Sequence, residues 1–166
     1  SVEQAVSDKT CAVMIELIQG EGGVNIADHQ FIRDIRQLCN EQHILLIFDE
    51  IQTGMGRTGT LFCYEQYGVE PDIMTLGKGI GGGYPLAAVL AKEQFDLFEP
   101  GDQGGTYTGQ PLAMAAGKVV LEELVGRDLA ANSHQMGVLI MERLRANADQ
   151  LRIEKVRGKG LLIAFD

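Results

Sequence analysis

A lysine enclosed by glycines is the first residue with evident chemical potential. Gly77-Lys-Gly-Ile-Gly-Gly-Gly83 sets Lys78 among five glycines in seven positions. An amine so placed can reach a carbonyl, form a Schiff base, release it and move protons. Flanking glycines let the main chain approach a flat ring and leave room for a substrate. The competing reading is a lysine whose stem lies along apolar groups while its charge stays in water. A ring cofactor with a pyridine nitrogen also needs an acidic partner, which keeps the ring protonated and able to accept electrons. Asp49 is placed for that task. It follows the apolar run Ile44-Leu-Leu-Ile-Phe48, and open α/β sheets bind ligands beyond the carboxyl ends of their strands. A buried carboxylate there needs a cation; otherwise Asp49 simply caps the next turn. Gln52 follows within one turn and can hydrogen-bond a ring oxygen.

These residues need elements to hold them. Cys11 to Leu17 is rich in strand formers, and Gln19-Gly-Glu-Gly-Gly23 reads as a loop. Phe31, Ile32, Ile35 and Leu38 recur at helical spacing between Asp28 and Gln42, with Asp28 as the N-cap. Ile44 to Phe48 has the continuous apolar character of a strand buried on both faces. The order β-α-β favours a parallel sheet. Leu61 to Tyr67 reads as a short helix ended by Gly68, and Asp72 to Leu76 and Leu86 to Ala91 as short strands. Pro111 to Val125 and Leu129 to Ala146 read as helices. Leu151 to Val156 and Leu161 to Phe165 read as strands around Arg157-Gly-Lys-Gly160. A change of character near Gly126 predicts two units, 1–125 and 126–166. Because Leu161-Leu-Ile-Ala-Phe-Asp166 stops inside an apolar stretch, the chain is expected to be a piece of a longer one.

Bulk properties narrow the function classes. The chain has 166 residues, 45% of them hydrophobic, and a formal net charge of −9. That suits one domain with a core and argues against a nucleic-acid partner. The three cysteines, Cys11, Cys39 and Cys63, are odd in number and lack metal-type spacing, which argues against a disulfide framework or a zinc site. Cys11 and Cys39 are expected in the core. Ile44 to Phe48, the longest apolar run, is too short to cross a membrane, and no signal peptide is evident. The expectation is a reduced, soluble, cytoplasmic protein without metal.

Two motifs point elsewhere and are weak. Asp49-Glu50 after an apolar strand looks like the acidic motif of a P-loop nucleotidase, but no Gly-x-x-x-x-Gly-Lys-Ser/Thr precedes it. Gly54-Met-Gly-Arg-Thr-Gly59 matches a dinucleotide fingerprint and would suit a nucleotide-binding oxidoreductase. It lies five residues after Phe48, and Thr58-Gly-Thr60 is a poor helix start.

Four further segments occur in order: Glu16-Leu-Ile-Gln-Gly-Glu-Gly-Gly23, Phe48-Asp-Glu-Ile-Gln-Thr-Gly-Met-Gly-Arg-Thr-Gly59, Pro71-Asp-Ile-Met-Thr-Leu-Gly-Lys-Gly-Ile-Gly-Gly-Gly83 and Gly105-Thr-Tyr-Thr-Gly-Gln-Pro-Leu-Ala113. Together they closely resemble the class III pyridoxal-phosphate-dependent aminotransferases, over nearly the whole chain. The resemblance implies an α/β fold. Residues 1–125 would be part of the large cofactor domain of a fold-type-I transferase, a mostly parallel sheet flanked by helices. Residues 126–166 would begin the small C-terminal α+β domain. It implies transfer of an amino group from an acetylornithine-, ornithine- or 4-aminobutyrate-like donor to a 2-oxo acid, with pyridoxal 5'-phosphate, in a homodimer.

At matching positions it implies that Lys78 is the Schiff-base lysine and proton carrier, Asp49 the partner of the pyridine nitrogen and Gln52 the neighbour of the ring hydroxyl. Thr106 would bind the cofactor phosphate of the neighbouring subunit, and Glu16 and Glu21 would line the substrate site. Arg57 is expected to be structural. Leu17 stands where the family commonly has proline. Gln103, Thr108 and Gln110 replace commoner His, Gly and Asn around Thr106. The family's phosphate loop, ring-stacking aromatic and substrate-carboxylate arginine lie in portions without counterpart here. The alternative expectation is therefore a catalytically inactive piece, with no turnover by residues 1–166 alone.

Overall fold

The computed structural model describes residues 2–166. In chain order the elements are α1 (Val2–Ala5), β1 (Ala12–Glu16), β2 (Ile18–Gln19), β3 (Asn25–Ile26), α2 (His29–Glu41), β4 (Leu45–Asp49), β5 (Ile73–Leu76) and β6 (Ala88–Ala91). Then come α3 (Pro111–Gly126), α4 (Leu129–Ala146), α5 (Ala148–Leu151), β7 (Val156–Lys159) and β8 (Leu162–Phe165). The main sheet has the order β1-β4-β5-β6. Strands β1, β4 and β5 run parallel, while β6 is antiparallel to β5. The fold is thus mixed α/β with a mostly parallel sheet.

Helix α2 forms where the apolar spacing placed it. Asp28 Oδ1 accepts from the Gln30 and Phe31 N–H groups at 2.7 and 3.2 Å, closing the N-terminus. The buried face of α2 is Ile32, Ile35 and Cys39. It packs into one cluster with Leu17, Ile18, Leu46 and Phe48. In β4, Leu46 and Phe48 are fully buried and Leu45 and Ile47 only partly. The strand is therefore covered on one face, by α2, rather than on both as its apolar run suggested.

Other expectations need correcting. Cys11 is exposed, because it precedes β1 at the rim of the sheet, whereas Cys39 and Cys63 are buried thiols. Leu61 to Tyr67 holds only a 3-10 turn, Cys63–Gln66. Leu151 closes helix α5, and Arg157 and Lys159 lie inside β7 rather than in a connector. The turn is instead at Gly160, whose φ of +52° suits glycine. The long polar side chains of β7 are accommodated because each finds a partner. Arg157 makes a bidentate pair with Asp166 at 2.6 and 3.0 Å, and Lys159 donates to Gln66 Oε1 at 3.0 Å.

Asp72, just before β5, staples the amino end of the sheet. Its Oδ2 accepts from Leu46 N at 2.8 Å and Arg36 Nη1 at 2.9 Å, and its Oδ1 from Lys92 Nζ at 3.4 Å. Burial alone would push this carboxyl up; the Leu46 N–H and the two cations outweigh burial and hold it below the usual carboxylate range. A lowered folded-state value means stability that is present at neutral pH and lost as pH falls through that value. In the full-length protein, Asp72→Asn should therefore cost about 3 kcal/mol near pH 7, the scale of a broken buried pair. The gap between wild type and variant should close on acidification, as read from denaturant midpoints. A gap independent of pH would contradict the assignment.

Candidate active site

Three strand ends meet in one row. Glu16 of β1 is the register partner of Asp49 of β4, and Asp49 that of Thr75 of β5. The carboxyl ends of these parallel strands form the ligand edge of an open α/β sheet. Asp49 Oδ1 accepts from Ile51 N at 2.9 Å and from Thr75 Oγ1 at 3.3 Å. Oδ1 thus caps the following turn, while Oδ2 takes no hydrogen bond from the described residues and is left for a ligand.

Lys78 begins the turn Lys78–Gly81 after β5, with φ at +45°. That left-handed conformation is strained for a residue with a side chain, and such strain gathers at functional sites. Its Nζ donates to Gln52 Oε1 at 3.2 Å. The Gln52 carboxamide in turn lies so close to Gly20 that a Cβ there would collide with it. Gly20 N donates to Glu16 Oε2 at 3.1 Å. Glu16, Gln52 and Lys78 are therefore linked through one short chain of contacts, and Asp49 stands beside it as the register partner of Glu16. A cleft of about 320 Å³ opens beside Gln52 and Lys78, lined also by Met55, Arg57 and Leu161.

Two expected residues are not drawn in. Glu21 sits exposed in the glycine loop, with no hydrogen bond among the described residues. Thr106 is exposed in the loop before α3 and borders a different cleft, with Tyr84 and Gln110, which are joined by a 2.6 Å hydrogen bond. Arg57 contributes through its main chain, whose oxygen accepts from Ser133 Oγ of α4 at 2.8 Å and from Leu161 N at 2.9 Å. Residues 54–59 form successive turns and open no helix, so the dinucleotide reading has no structural footing.

The residue that sequence reasoning passed over is Glu50, only 1% exposed. Its Oε2 accepts from Thr53 Oγ1 at 2.6 Å and Cys63 N at 3.0 Å, and its Oε1 from Tyr64 N at 2.8 Å. Burial raises its pKa against these donors. The signal was available in strand alternation. Residues 46, 48 and 50 share one face, so Glu50 points into the core while Asp49 points away. Beside it the Cys63 thiol is pushed up to about 12, first by burial and then by Glu50. It is a packing group rather than a nucleophile.

The whole chain, residues 1–166, matches the family model described as aminotransferase class-III. The chain belongs to the class-III aminotransferases. Their cofactor is pyridoxal phosphate, and their substrates are small molecules. Among curated relatives, the acetylornithine aminotransferase of Caldanaerobacter subterraneus subsp. tengcongensis is 47% identical, over 98% of this chain and 42% of its own length. That of Methanosarcina acetivorans is 45% identical, over 100% and 42%. Among solved structures, the ornithine aminotransferase of Plasmodium yoelii superposes with a TM-score of 0.92 at 38% identity, covering 99% of this chain and 45% of that one. The chain thus spans about 42% of the length of the curated relatives it matches. This class-III chain has the family's mixed α/β architecture. No described helix is long and apolar enough to cross a membrane.

Proposed function

We propose that this chain is the part of a class-III aminotransferase that carries the covalent attachment point and the ring-nitrogen partner of pyridoxal 5'-phosphate. The observation that carries the reading is the Lys78–Gln52 contact of 3.2 Å at the sheet edge where Asp49 ends β4, its Oδ2 without a donor among the described residues. The donor set fits the group: an amine for the aldehyde, an open carboxylate oxygen for the pyridine nitrogen and a carboxamide between them. When bound, pyridoxal phosphate supplies the carbonyl and an electron-accepting ring.

In this reading Lys78 Nζ binds the cofactor and then carries the proton between substrate atoms. Asp49 keeps a negative charge at the ring nitrogen, and Gln52 orients Lys78 and the ring. Glu16 and Glu21 line the approach of the amino donor. Thr106 borders a separate cleft, which suits a role toward the phosphate held by a second subunit of a homodimer. The donor we propose is acetylornithine-, ornithine- or 4-aminobutyrate-like, and the acceptor a 2-oxo acid. We place the division between the cofactor unit and the small C-terminal unit near Gly126. Free thiols at positions 11, 39 and 63 suit a reduced, cytoplasmic setting.

The test uses the full-length protein. Borohydride reduction should leave the pyridoxyl group on the peptide containing Lys78, read by mass. The protein should also turn over N-acetylornithine or 4-aminobutyrate with 2-oxoglutarate. A label on another lysine, or no turnover of any such donor, would overturn the proposal.

A further inference from the structure

We infer that Glu50 is a positioning residue, holding Asp49 and Gln52 in place relative to Lys78. The inference rests on the site reading above. Glu50 is the hinge point between them, since Asp49 precedes it on β4 and Gln52 stands in the turn that follows. Every polar group of Glu50 is engaged. Its N–H donates to Thr75 O on β5 at 3.0 Å, and its carbonyl accepts from Gly54 N at 2.9 Å. The side chain takes the three bonds from Thr53, Cys63 and Tyr64. A Cβ on Gly54 would meet the Glu50 oxygen at 2.8 Å, so the turn closes this tightly only with glycine there.

Ile51 and Gln52 are thereby suspended between two anchored points. One is the strand end at Glu50; the other is Thr53–Gly54, tied back to Glu50 by both side chain and main chain. Ile51 N donates to Asp49 Oδ1 from within that span, and Gln52 Oε1 meets Lys78 from it. A buried carboxylate without a cation is costly, and neither lysine nor arginine pairs with Glu50 among the described residues. Only an acceptor at both oxygens satisfies the two main-chain N–H groups of Cys63 and Tyr64 together. Glutamine, nearly equal in volume, would turn its –NH₂ toward one of those N–H groups, whichever way it is placed.

Glu50→Gln in the full-length protein tests this. Amide hydrogen exchange is measured without cofactor, and kcat and KM with it. If Glu50 positions the site, exchange should quicken about 10-fold or more at Ile51 as well as at Cys63 or Tyr64, the scale of one lost hydrogen bond. Ile35 and Cys39 of α2 should be unchanged. In the loaded enzyme kcat should fall about 10-fold or more, while KM for the amino donor stays within about 3-fold. Faster exchange confined to Cys63 and Tyr64, with Ile51 protected and kcat unchanged, would overturn the inference. The exchange readout does not depend on the cofactor. A missing borohydride label at Lys78 would therefore sink the site reading alone, and a protected Ile51 in a labelled enzyme this inference alone. Should Glu50→Gln fail to fold, Thr53→Val removes one donor to Glu50 at constant volume. It should quicken exchange at Ile51; an unchanged Ile51 there overturns the inference as well.

Discussion

Lys78→Ala in the full-length protein should abolish transamination, by at least about 1,000-fold, since the proton transfer alone carries a factor of that order. The next lysine along the chain should not take its place. Lys92 is bound to Asp72 at the opposite end of β5, a strand length of roughly 13 Å away at about 3.3 Å per residue. The loss should not come from unfolding, because the Lys78 side chain is exposed and alanine retains the same backbone strain. Lys78→Gly separates the two effects. Glycine accepts a φ of +45° freely, so this variant should be inactive yet more stable than wild type by about 1 kcal/mol. Denaturant midpoints and turnover, measured together, check both halves. Substantial turnover in either variant would remove Lys78 from the chemistry.

Asp49→Asn should lower turnover by about 100-fold or more, the loss associated with one removed electrostatic partner. Asparagine keeps the shape and an oxygen for the Ile51 N–H and the Thr75 hydroxyl, so the turn should survive. What disappears is the charge at the oxygen left open for a ligand. The loss should fall on the single-turnover rate with the amino donor, while cofactor affinity changes less. Unchanged turnover would mean that Asp49 serves the turn alone.

Much of this arrangement could be read from residue order. The helical spacing of Ile32 and Ile35, capped by Asp28, defines α2. The short apolar segments define β1, β4 and β5, and their order implies parallel pairing. Gln52 and Lys78 meet because they follow β4 and β5 at the same edge of the sheet, the edge where Asp49 ends β4. The departures from expectation have local causes. The apolar run at 44–48 looks the same whether one face or two are covered. The strand at 156–159 contains arginine, glycine and lysine, which suggest a loop until Asp166 and Gln66 appear as their partners. The antiparallel direction of β6 follows from a link that holds only the Lys78–Gly81 turn and no crossover helix. Thr106 and Glu21 rest on the family resemblance alone, and no contact among the described residues draws them to Lys78. Glu50 belongs to no motif beyond the weak Asp49-Glu50 pair, yet strand alternation alone buries it.

The Arg157 side chain does more than pair with Asp166. Its Nε donates to the Gly23 carbonyl at 2.7 Å, across a separation of 134 residues. The Tyr67 hydroxyl braces the same loop earlier, at Leu17 O and Ala27 O, both 3.1 Å away. These ties cannot form at the same moment on a ribosome. Synthesis delivers the chain at roughly 5–20 residues per second, so Gly23 waits on the order of 10 s for Arg157. Asp49, Gln52 and Lys78 can assemble well before that. The glycine loop that carries Glu21, and whose Gly20 lies against the Gln52 carboxamide, thus receives its final clasp last, after Gln52 and Lys78 are already in place.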